Sequence, residues 1–252
     1  MSKEVNELKS LVQDMLDESS KQGASSAEAG LSIDNGLSVN ARLGEVETIE
    51  HHCDQSLGVT VYIGQKKGSA STNDFSAKSI KETVKAACSI ASFSSEDKYA
   101  GLPDKDMLAT EFPELDKFHP WDIDAESAID LAIECEDAAR SYHDDITNSE
   151  GASVSSHQGI RVMGNSLGFL QGYQATRHSM SCSVIGERDD SMQRDYWYSV
   201  SRQAGKLESA KEIGLKAAER TINRLAARSL TTRQCPVLYS AEVASGLIGS
   251  LV

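Results

Sequence analysis

Apolar side chains at the start of the chain recur at helical spacing. This pattern predicts an amphipathic helix over residues 3–21 that ends before Gly23, with an apolar face of Val5, Leu8, Leu11, Val12, Met15 and Leu16. From Glu28 to Thr72 apolar residues instead alternate with polar ones, as in a strand with one buried face. Turn signals at DNG (34–36), LGE (43–45) and GQKKG (64–68) divide this stretch. The sequence therefore predicts an antiparallel meander.

The same order of elements recurs later. A second helix is predicted after Ser76, its N-cap, and the proline-containing residues 95–122 form an irregular linker. A helix over about 125–142 follows. Strands from Thr147 to about Ser201 carry turn signals at SEG, HQG and GNSLG, and a capping box from Ser209 to Glu212 begins another helix. We predict an α+β fold of two helix–antiparallel meander–helix units.

The two units are loosely alike in sequence. The segments SLGVTVYIGQKKGSAST and NSLGFLQGYQATRHS share their spacing, which suggests a duplication. We predict an N-terminal domain with its linker over residues 1–110 and a central domain over residues 111–230. Residues 231–252 are predicted to be the first strand and helix of a third, truncated domain.

The last residues, CPVLYSAEVASGLIGSLV, predict a short strand at Pro236–Tyr239, a Ser240 cap and an apolar helix without a C-cap. One interpretation is a C-terminal helix that docks on the body of the protein. The interpretation we favour is the opening of a further domain, cut short. Leu247, Ile248, Leu251 and Val252 would then lack cover, and the chain is expected either to self-associate through residues 241–252 or to leave that helix frayed.

Composition narrows the class of protein. The formal net charge of -13 repels nucleic-acid phosphates and anionic membranes, so we expect neither as a direct partner. No apolar run is long enough for a membrane helix, and the first residues lack the apolar stretch of a secretory signal. The five cysteines are widely spread and form no CxxC pair, which indicates reduced thiols and a cytoplasmic location.

Two clusters are candidate sites. HHCD, from His51 to Asp54, has zinc-ligand residue types, but a strand would turn His52 away from His51 and Cys53. We interpret it as a polar strand end, and we predict no catalytic residue and no metal ligand. The second cluster, RDYWYS, concentrates aromatic residues. Tyr196, Trp197 and Tyr198 are core residues or, alternatively, contacts for a peptide or partner.

Several segments resemble the PmbA branch, also called TldE, of the TldD/PmbA metallopeptidase family. GASSAEAGLSIDNGLSVNARLGEVETIE, LGVTVYIGQKKGSASTNDFS and ITNSEGASVSSHQGIRVMGNSLGFLQGYQATRHS carry the resemblance, together with the last segment quoted above. It runs from about Gly23 to Val252 and implies a three-part chain. This sequence would supply the N-terminal domain, the central domain and the first helix of the third.

The resemblance implies a cytoplasmic peptidase that trims small unfolded peptides. In the TldD branch zinc is held by an HExxxH helix and a later cysteine, and the glutamate activates a water molecule. The matching helix, Val243 to Val252, contains no His, Cys, Asp or Glu, and Glu242 stands alone before it. We therefore expect no cofactor in this chain and zinc in a TldD-like partner.

Two functions remain open from the sequence. The first is a PmbA-like subunit of a two-chain zinc metallopeptidase, non-catalytic on its own and paired with a TldD-like catalytic subunit around unfolded peptide. The second is a non-enzymatic regulatory adaptor of the gyrase-modulator type, which would act by protein–protein contact because the chain is acidic.

Overall fold

The structure, a computed structural model, describes residues 3–251. Its helices are α1 Lys3–Lys21, α2 Ala77–Phe93, α3 Ala125–Arg140, α4 Ala210–Arg224 and α5 Ala241–Gly249. Its strands are β1 Ser26–Arg42, β2 Glu45–Ile63, β3 Lys66–Thr72, β4 Ile146–Asn165, β5 Leu170–Arg188 and β6 Ser191–Ser201. The predicted α+β fold is confirmed, and a helix, three antiparallel strands and a second helix occur twice in sequence.

These strands form one six-stranded antiparallel sheet in the order β3-β2-β1-β4-β5-β6. Strand β1 of the first unit pairs with β4 of the second, so the two units share a sheet. The turns predicted at LGE, GQKKG and GNSLG are confirmed, since each lies between two strands.

The turns predicted at DNG and HQG are wrong. Strand β1 runs unbroken through DNG, and β4 runs unbroken through HQG. The glycines in these motifs serve close approach instead of a turn: Gly36 lies opposite His157, and a Cβ at Gly36 would overlap the His157 ring. The turn predicted at SEG is also wrong, because Gly151, with a φ of 98°, lies within β4 at a shift of the pairing register.

Two hydrophobic cores lie side by side on one face of the sheet, here called the front face. In β1 the buried residues of both cores have odd numbers, so their side chains point to the same side. Ala27, Ala29 and Leu31 of β1 join α1 and α2 in the first core. The second core combines α3 and α4 with Leu37, Val39 and Ala41 of β1. The second core therefore depends on a strand of the first unit.

Side-chain caps fix where the helices begin. Ser76 and Asp124 each accept the backbone N–H of the residue three positions further on, at the start of α2 and α3. Ser209 and Glu212 form a complete capping box at the start of α4. The caps predicted at Ser76 and Ser209 are confirmed, and each satisfies N–H groups that the helix itself leaves unpaired.

The helices of each unit pack unusually close to their neighbours at glycine. Gly214 of α4 faces the backbone of α3, and a Cβ there would overlap the carbonyl oxygen of Cys135. Gly68 of β3 faces α2 in the same way, where a Cβ would overlap the carbonyl oxygen of Ala87. At both positions backbone meets backbone with no room for a side chain.

The tip of the β1–β2 hairpin is bound by a carboxylate from the second unit. Glu136 of α3 is fully buried and accepts the N–H of Leu43 at 2.8 Å and of Gly44 at 2.9 Å. Leu43 and Gly44 have φ angles of 55° and 80°, the left-handed pair of a two-residue hairpin turn. Beside them, the Arg42 Nε donates to the carbonyl oxygen of Ser149 at 2.9 Å.

Helix α5 is confirmed within the predicted segment, but the strand predicted at Pro236–Tyr239 is wrong. Residues 227–240 are irregular, and no described strand lies beside them to complete the hydrogen bonds of an extended segment. Ser240 occupies the N-cap position of α5 without a side-chain cap bond, and no residue of α5 is buried. Leu247 and Ile248 are exposed, whereas Val252 lies outside the described residues. Self-association through residues 241–252 stays a prediction.

Within residues 3–251, none of the helices combines the length and the apolar character that crossing a bilayer requires.

Acid is expected to destabilise the fold through carboxylates that accept hydrogen bonds. The backbone N–H of Ser127 lowers the pKa of Asp124, and the Ser183 hydroxyl, followed by Arg194, lowers the pKa of Glu150. A pKa that is lower in the folded chain gives stability above the unfolded pKa, and this stability is lost as the pH falls through the folded pKa. We expect the free energy of unfolding to decline below about pH 4.

Urea titrations between pH 7 and pH 3 measure this decline. The Glu150→Gln variant should show a shallower decline than the parent, because glutamine does not titrate. A parent whose stability is unchanged between pH 5 and pH 3 would contradict the prediction.

Candidate functional site

The back face of the sheet, opposite the helices, is lined with small polar residues. Alternation along the strands places them there, since their neighbours in sequence point into the two cores. The set includes Gly30, Ser32, Gly36 and Ser38 of β1 and Ser179, Ser181 and Ser183 of β5. This face therefore offers hydroxyl and backbone groups in place of apolar bulk.

Residues 109–118, here called the strap, cross this face and enclose a groove with it. The groove has a volume of about 1320 Å³. Its floor is formed by small residues of four strands, among them Gly30, Ser32, Gly58, Thr60, Ser69 and Ser71. The strap contributes Phe112, Pro113, Leu115 and Phe118. The volume exceeds the roughly 300–1,000 Å³ of most small-molecule sites, and it suits a longer ligand.

Aromatic groups form the outer wall of the groove. Phe112 of the strap meets Phe169 edge to face, with ring centroids 5.8 Å apart. The Lys117 ammonium lies 4.4 Å from the centre of the Tyr173 ring. The aromatic rings of the outer wall can contact apolar side chains of an extended peptide, and the hydroxyl groups of the floor can bind its backbone amides.

Two charged residues of the groove, Arg161 and Glu28, have side-chain hydrogen-bond partners. Arg161 Nη1 lies 2.6 Å from Asp34 Oδ2, and the Tyr62 hydroxyl donates to Glu28 at 3.1 Å. Burial, and then the neighbouring Glu28 carboxylate, raises the pKa of Tyr62 above its usual range. Tyr62 therefore remains a neutral hydrogen-bond donor beside Glu28.

The segment that follows the strap is anchored to β5. The Thr176 N–H donates to the Lys117 carbonyl at 3.0 Å, and the Thr176 hydroxyl oxygen accepts the His119 N–H at 3.0 Å. The His178 Nε2 lies 2.9 Å from the His119 carbonyl, which can only accept, so Nε2 carries the proton. The His178 Nδ1 then accepts from the Ser156 hydroxyl at 3.0 Å. Ser156 therefore orients the buried His178, and His178 binds the segment directly after the strap.

The aromatic cluster predicted as a contact site is divided between the two faces. Tyr196 and Tyr198 lie exposed on the back face of β6, stacked with centroids 6.2 Å apart. Trp197 points to the front, where its Nε1 donates to Glu208 and the Lys216 ammonium lies 3.6 Å from its ring centre. The structure brings the two tyrosines together and assigns Trp197 to packing under α4. Peptide or partner contact by all three stays a prediction.

HHCD lies in β2, and its side chains alternate as the sequence predicted. His51 lines a front-face cavity of about 500 Å³ that Trp121 and His178 also line. His52 points to the back, where its ring centroid lies 5.3 Å from that of His157. Burial, followed by the nearby His52, lowers the pKa of His157 below its usual value. In residues 3–251, no group of three or more His, Cys, Asp or Glu side chains is placed to hold a metal.

Four of the five thiols are either exposed or buried, and Cys88 is intermediate. Cys53 and Cys235 are exposed, whereas Cys135 of α3 and Cys182 of β5 are buried in the second core. A hydrogen bond with Cys135, followed by burial, raises the pKa of Cys182 far above its usual range. A thiol that does not ionise is a poor nucleophile, so Cys182 is a packing residue.

Iodoacetamide at neutral pH is expected to label Cys53 and Cys235 of the folded chain and to spare Cys135 and Cys182. Peptide mass spectrometry after brief labelling measures this, and labelling in denaturant provides the fully reactive control. Rapid labelling of Cys182 in the native chain would show that the second core opens readily.

Comparison with known proteins shows which family shares this architecture. The family model for PmbA/TldA metallopeptidase domain 1 matches residues 27–91, and the model for the central domain matches residues 118–225. The chain is 46% identical over 226 residues to the metalloprotease PmbA of Escherichia coli O157:H7, which covers 90% of this chain. It is 44% identical over 242 residues to a PmbA homolog of Haemophilus influenzae, which covers 96% of this chain.

The chain belongs to the PmbA/TldD metallopeptidase family. It lies on the PmbA branch and comprises the N-terminal and central domains that the family models describe. It spans about half the length of these relatives, 50% of the first and 53% of the second. A crystal structure from Bacteroides thetaiotaomicron, of a candidate modulator of DNA gyrase, has the same fold. Its TM-score is 0.81 at 21% identity, over 89% of this chain and 51% of that one.

Among residues 3–251 of this PmbA-branch chain, neither α5 nor HHCD presents a set of ligands that fits the zinc ion a metallopeptidase family implies. Helix α5 holds a single potential ligand, Glu242, and no histidine. The exposed His51 and Cys53 point to the front of the sheet while His52 points to the back, so they cannot converge on one ion. We derive no catalytic step through zinc in this chain.

The sequence alone missed the strap. Residues 95–122 were expected to be only a linker, and their irregular conformation is confirmed apart from a short turn of 3₁₀ helix at Lys105–Met107. The available signal was Phe112 and Phe118, because large aromatic residues are uncommon in a solvated linker. Small serines and glycines at alternate positions of the strands were the matching signal for an uncovered face.

Proposed function

We propose that this chain is the non-catalytic, peptide-binding part of a two-chain zinc peptidase of the PmbA/TldD type, and that a TldD-like partner supplies the zinc. The observation that carries the proposal is the groove of about 1320 Å³ under the strap, in a member of a metallopeptidase family. Small unfolded peptides are the substrate class, because the groove offers aromatic wall and hydroxyl floor along its length. The cysteines of the chain are free thiols, which favours a reducing, cytoplasmic location.

The residues of the groove bind and orient, and they do no bond-breaking chemistry. Phe112 and Phe118 would cover apolar side chains of the peptide, and the floor hydroxyls would bind its amide groups. The anchor at Thr176 and His178 keeps the strap from closing onto the floor. A peptide held in this way is extended, as a peptidase requires.

The test mixes this chain with a TldD-like partner and a fluorescent unfolded peptide. Peptide loss that requires both chains and stops with a zinc chelator is expected. In that mixture, Phe112→Ser with Tyr173→Ser in this chain should raise KM about tenfold and leave kcat nearly unchanged, because these rings are proposed to bind substrate only. The control, Phe93→Ser with Tyr99→Ser, removes two highly exposed rings outside the groove.

The second candidate is a regulatory adaptor. The Bacteroides thetaiotaomicron structure favours it, because that protein is described as a candidate modulator of DNA gyrase. A charge of -13 favours contact with gyrase protein over contact with DNA. Tight binding to purified gyrase, without peptide loss in the mixture above, would support the adaptor and reject the peptidase subunit.

A further inference from the structure

Strand β2 has a long edge that no other strand within residues 3–251 covers. Strand β3 pairs only with residues 57–63 of β2, so residues 45–56 have β1 on one side and nothing on the other in the part of the chain that the structure describes. Every residue of this segment except His52 is exposed. No backbone hydrogen bond from residues 45–56 to any described group other than β1 is present. Such an edge is a template for one more strand.

The usual devices that protect an edge are scarce here. Residues 48–56 contain no proline and no lysine, and the pairing with β1 is regular along them. The one irregularity lies nearer the hairpin tip, where Asn40 pairs with Thr48 but Ala41 pairs with Val46. Nine residues at about 3.3 Å each make a straight edge of about 30 Å.

The two faces of this edge differ in chemistry. Ile49, His51 and Cys53 point to the front, beside Val39, Leu37 and Asn35 of β1. This front row lies beyond the cover of the helices, and Ile49 is 45% exposed. It offers two apolar side chains, Ile49 and Cys53, on either side of His51 to the side chains of an added strand.

The back row is acidic. Glu45, Glu50 and Asp54 point to the back, with His52 between the last two and 3.4 Å from Glu50. There is no lysine or arginine between Arg42 and Lys66. An added strand with basic side chains on its back face would lie directly across from these carboxylates.

We propose that the β2 edge binds an extended peptide whose side chains alternate between basic and apolar, by strand addition. The guest would run antiparallel to β2 and begin where β3 stops, near the contact of Gln55 with the Asn73 carbonyl at 2.7 Å. Its main chain would complete the open ladder, its basic residues would face Glu50 and Asp54, and its apolar residues would face Ile49 and Cys53.

A second copy of this chain is a poorer occupant. Antiparallel pairing of two β2 edges would place one acidic row against another, and like charges directly opposite are destabilising. The surface is also distinct from the groove, whose β2 residues begin at Ser56. Binding at the edge therefore does not depend on the zinc partner or on the strap.

The test uses a fluorophore-labelled octapeptide of alternating valine and lysine, and its binding to the 252-residue chain is measured by fluorescence anisotropy at low salt. A peptide with glutamate in place of lysine, and one with four valines followed by four lysines, are expected to bind at least about tenfold more weakly. Equal binding of all three peptides would overturn the proposal.

The charge arm compares two protein variants with the same change in net charge. Glu50→Lys with Asp54→Lys should weaken binding about tenfold. Asp14→Lys with Glu82→Lys, at exposed helical positions away from the edge, should leave it within about twofold. If both variants weaken binding equally, the peptide is attracted by the net negative charge of the protein and not by Glu50 and Asp54, and the proposal is overturned.

The backbone arm needs no variant and so does not depend on variant folding. One peptide is N-methylated at its lysines and the other at its valines. Since only alternate residues of an added strand point their N–H toward β2, one methylated peptide should bind and the other should not. Binding of both, or of neither, overturns strand addition.

Discussion

Replacing Gly214 by alanine is expected to lower the free energy of unfolding by about 2–4 kcal/mol. Alanine has a better intrinsic helix propensity than glycine by about 1 kcal/mol, which alone would stabilise α4. The added methyl group, however, overlaps the carbonyl oxygen of Cys135 and lies 3.1 Å from the backbone nitrogen of Ala139. Neither atom belongs to a flexible side chain, so α3 and α4 must separate. Steric overlap therefore outweighs propensity.

The matched control is Gly246→Ala in α5. This glycine is also inside a helix, but nothing lies within 4 Å of its added Cβ. Chemical denaturation of the two variants should give opposite signs, with Gly246→Ala neutral or slightly stabilising. If both changes are neutral, α3 and α4 do not pack as closely as the structure shows.

Replacing Glu136 by alanine is expected to cost about 2–4 kcal/mol, the second large effect. The substitution removes charge-assisted bonds to the N–H groups of Leu43 and Gly44 and leaves a cavity under the hairpin. Hydrogen exchange should report where the loss occurs, since both amides would lose protection while amides of α1 would not.

Glu136→Gln provides the control, because its one carbonyl oxygen retains part of the contact. The free energy of unfolding of Glu136→Gln is expected to lie between those of the parent and Glu136→Ala. If Glu136→Ala is neutral, the β1–β2 hairpin tip is held by strand pairing with β4 and not by the carboxylate.

Periodicity predicted the helices and the repeated order of elements, because those depend on burial of one face, and the signals at LGE, GQKKG and GNSLG predicted strand ends. It did not predict that β1 continues through DNG. Asn-Gly is a strong hairpin signal in isolation, but β1 lies between β2 and β4, and pairing on both sides overrides the local preference. What Gly36 supplies is space for the His157 ring, a requirement set by a residue distant in sequence.

The groove was beyond prediction for a related reason. Its floor and strap come from segments that are polar or irregular, and neither carries a periodic signal. Only the pairing of β1 with β4 places residues 109–118 across from Ser32 and Thr60. The HHCD alternation, by contrast, follows from local strand geometry, and sequence alone was sufficient to separate His52 from His51 and Cys53.

The position of β1 at the centre of the sheet sets a delay during biosynthesis between the synthesis of β1 and that of its partner β4. Ala41 pairs with Ala152, so its partner leaves the ribosome 111 residues later (152 − 41). At about 5–20 residues per second, roughly 6–22 s pass after Ala41 is made before β4 can pair beside Leu37, Val39 and Ala41, and the second core closes later still, because it also needs α4. During that interval the nascent chain displays an unfinished strand edge with an apolar row. Any factor that covers apolar segments of nascent chains would find this row uncovered until β4 has emerged.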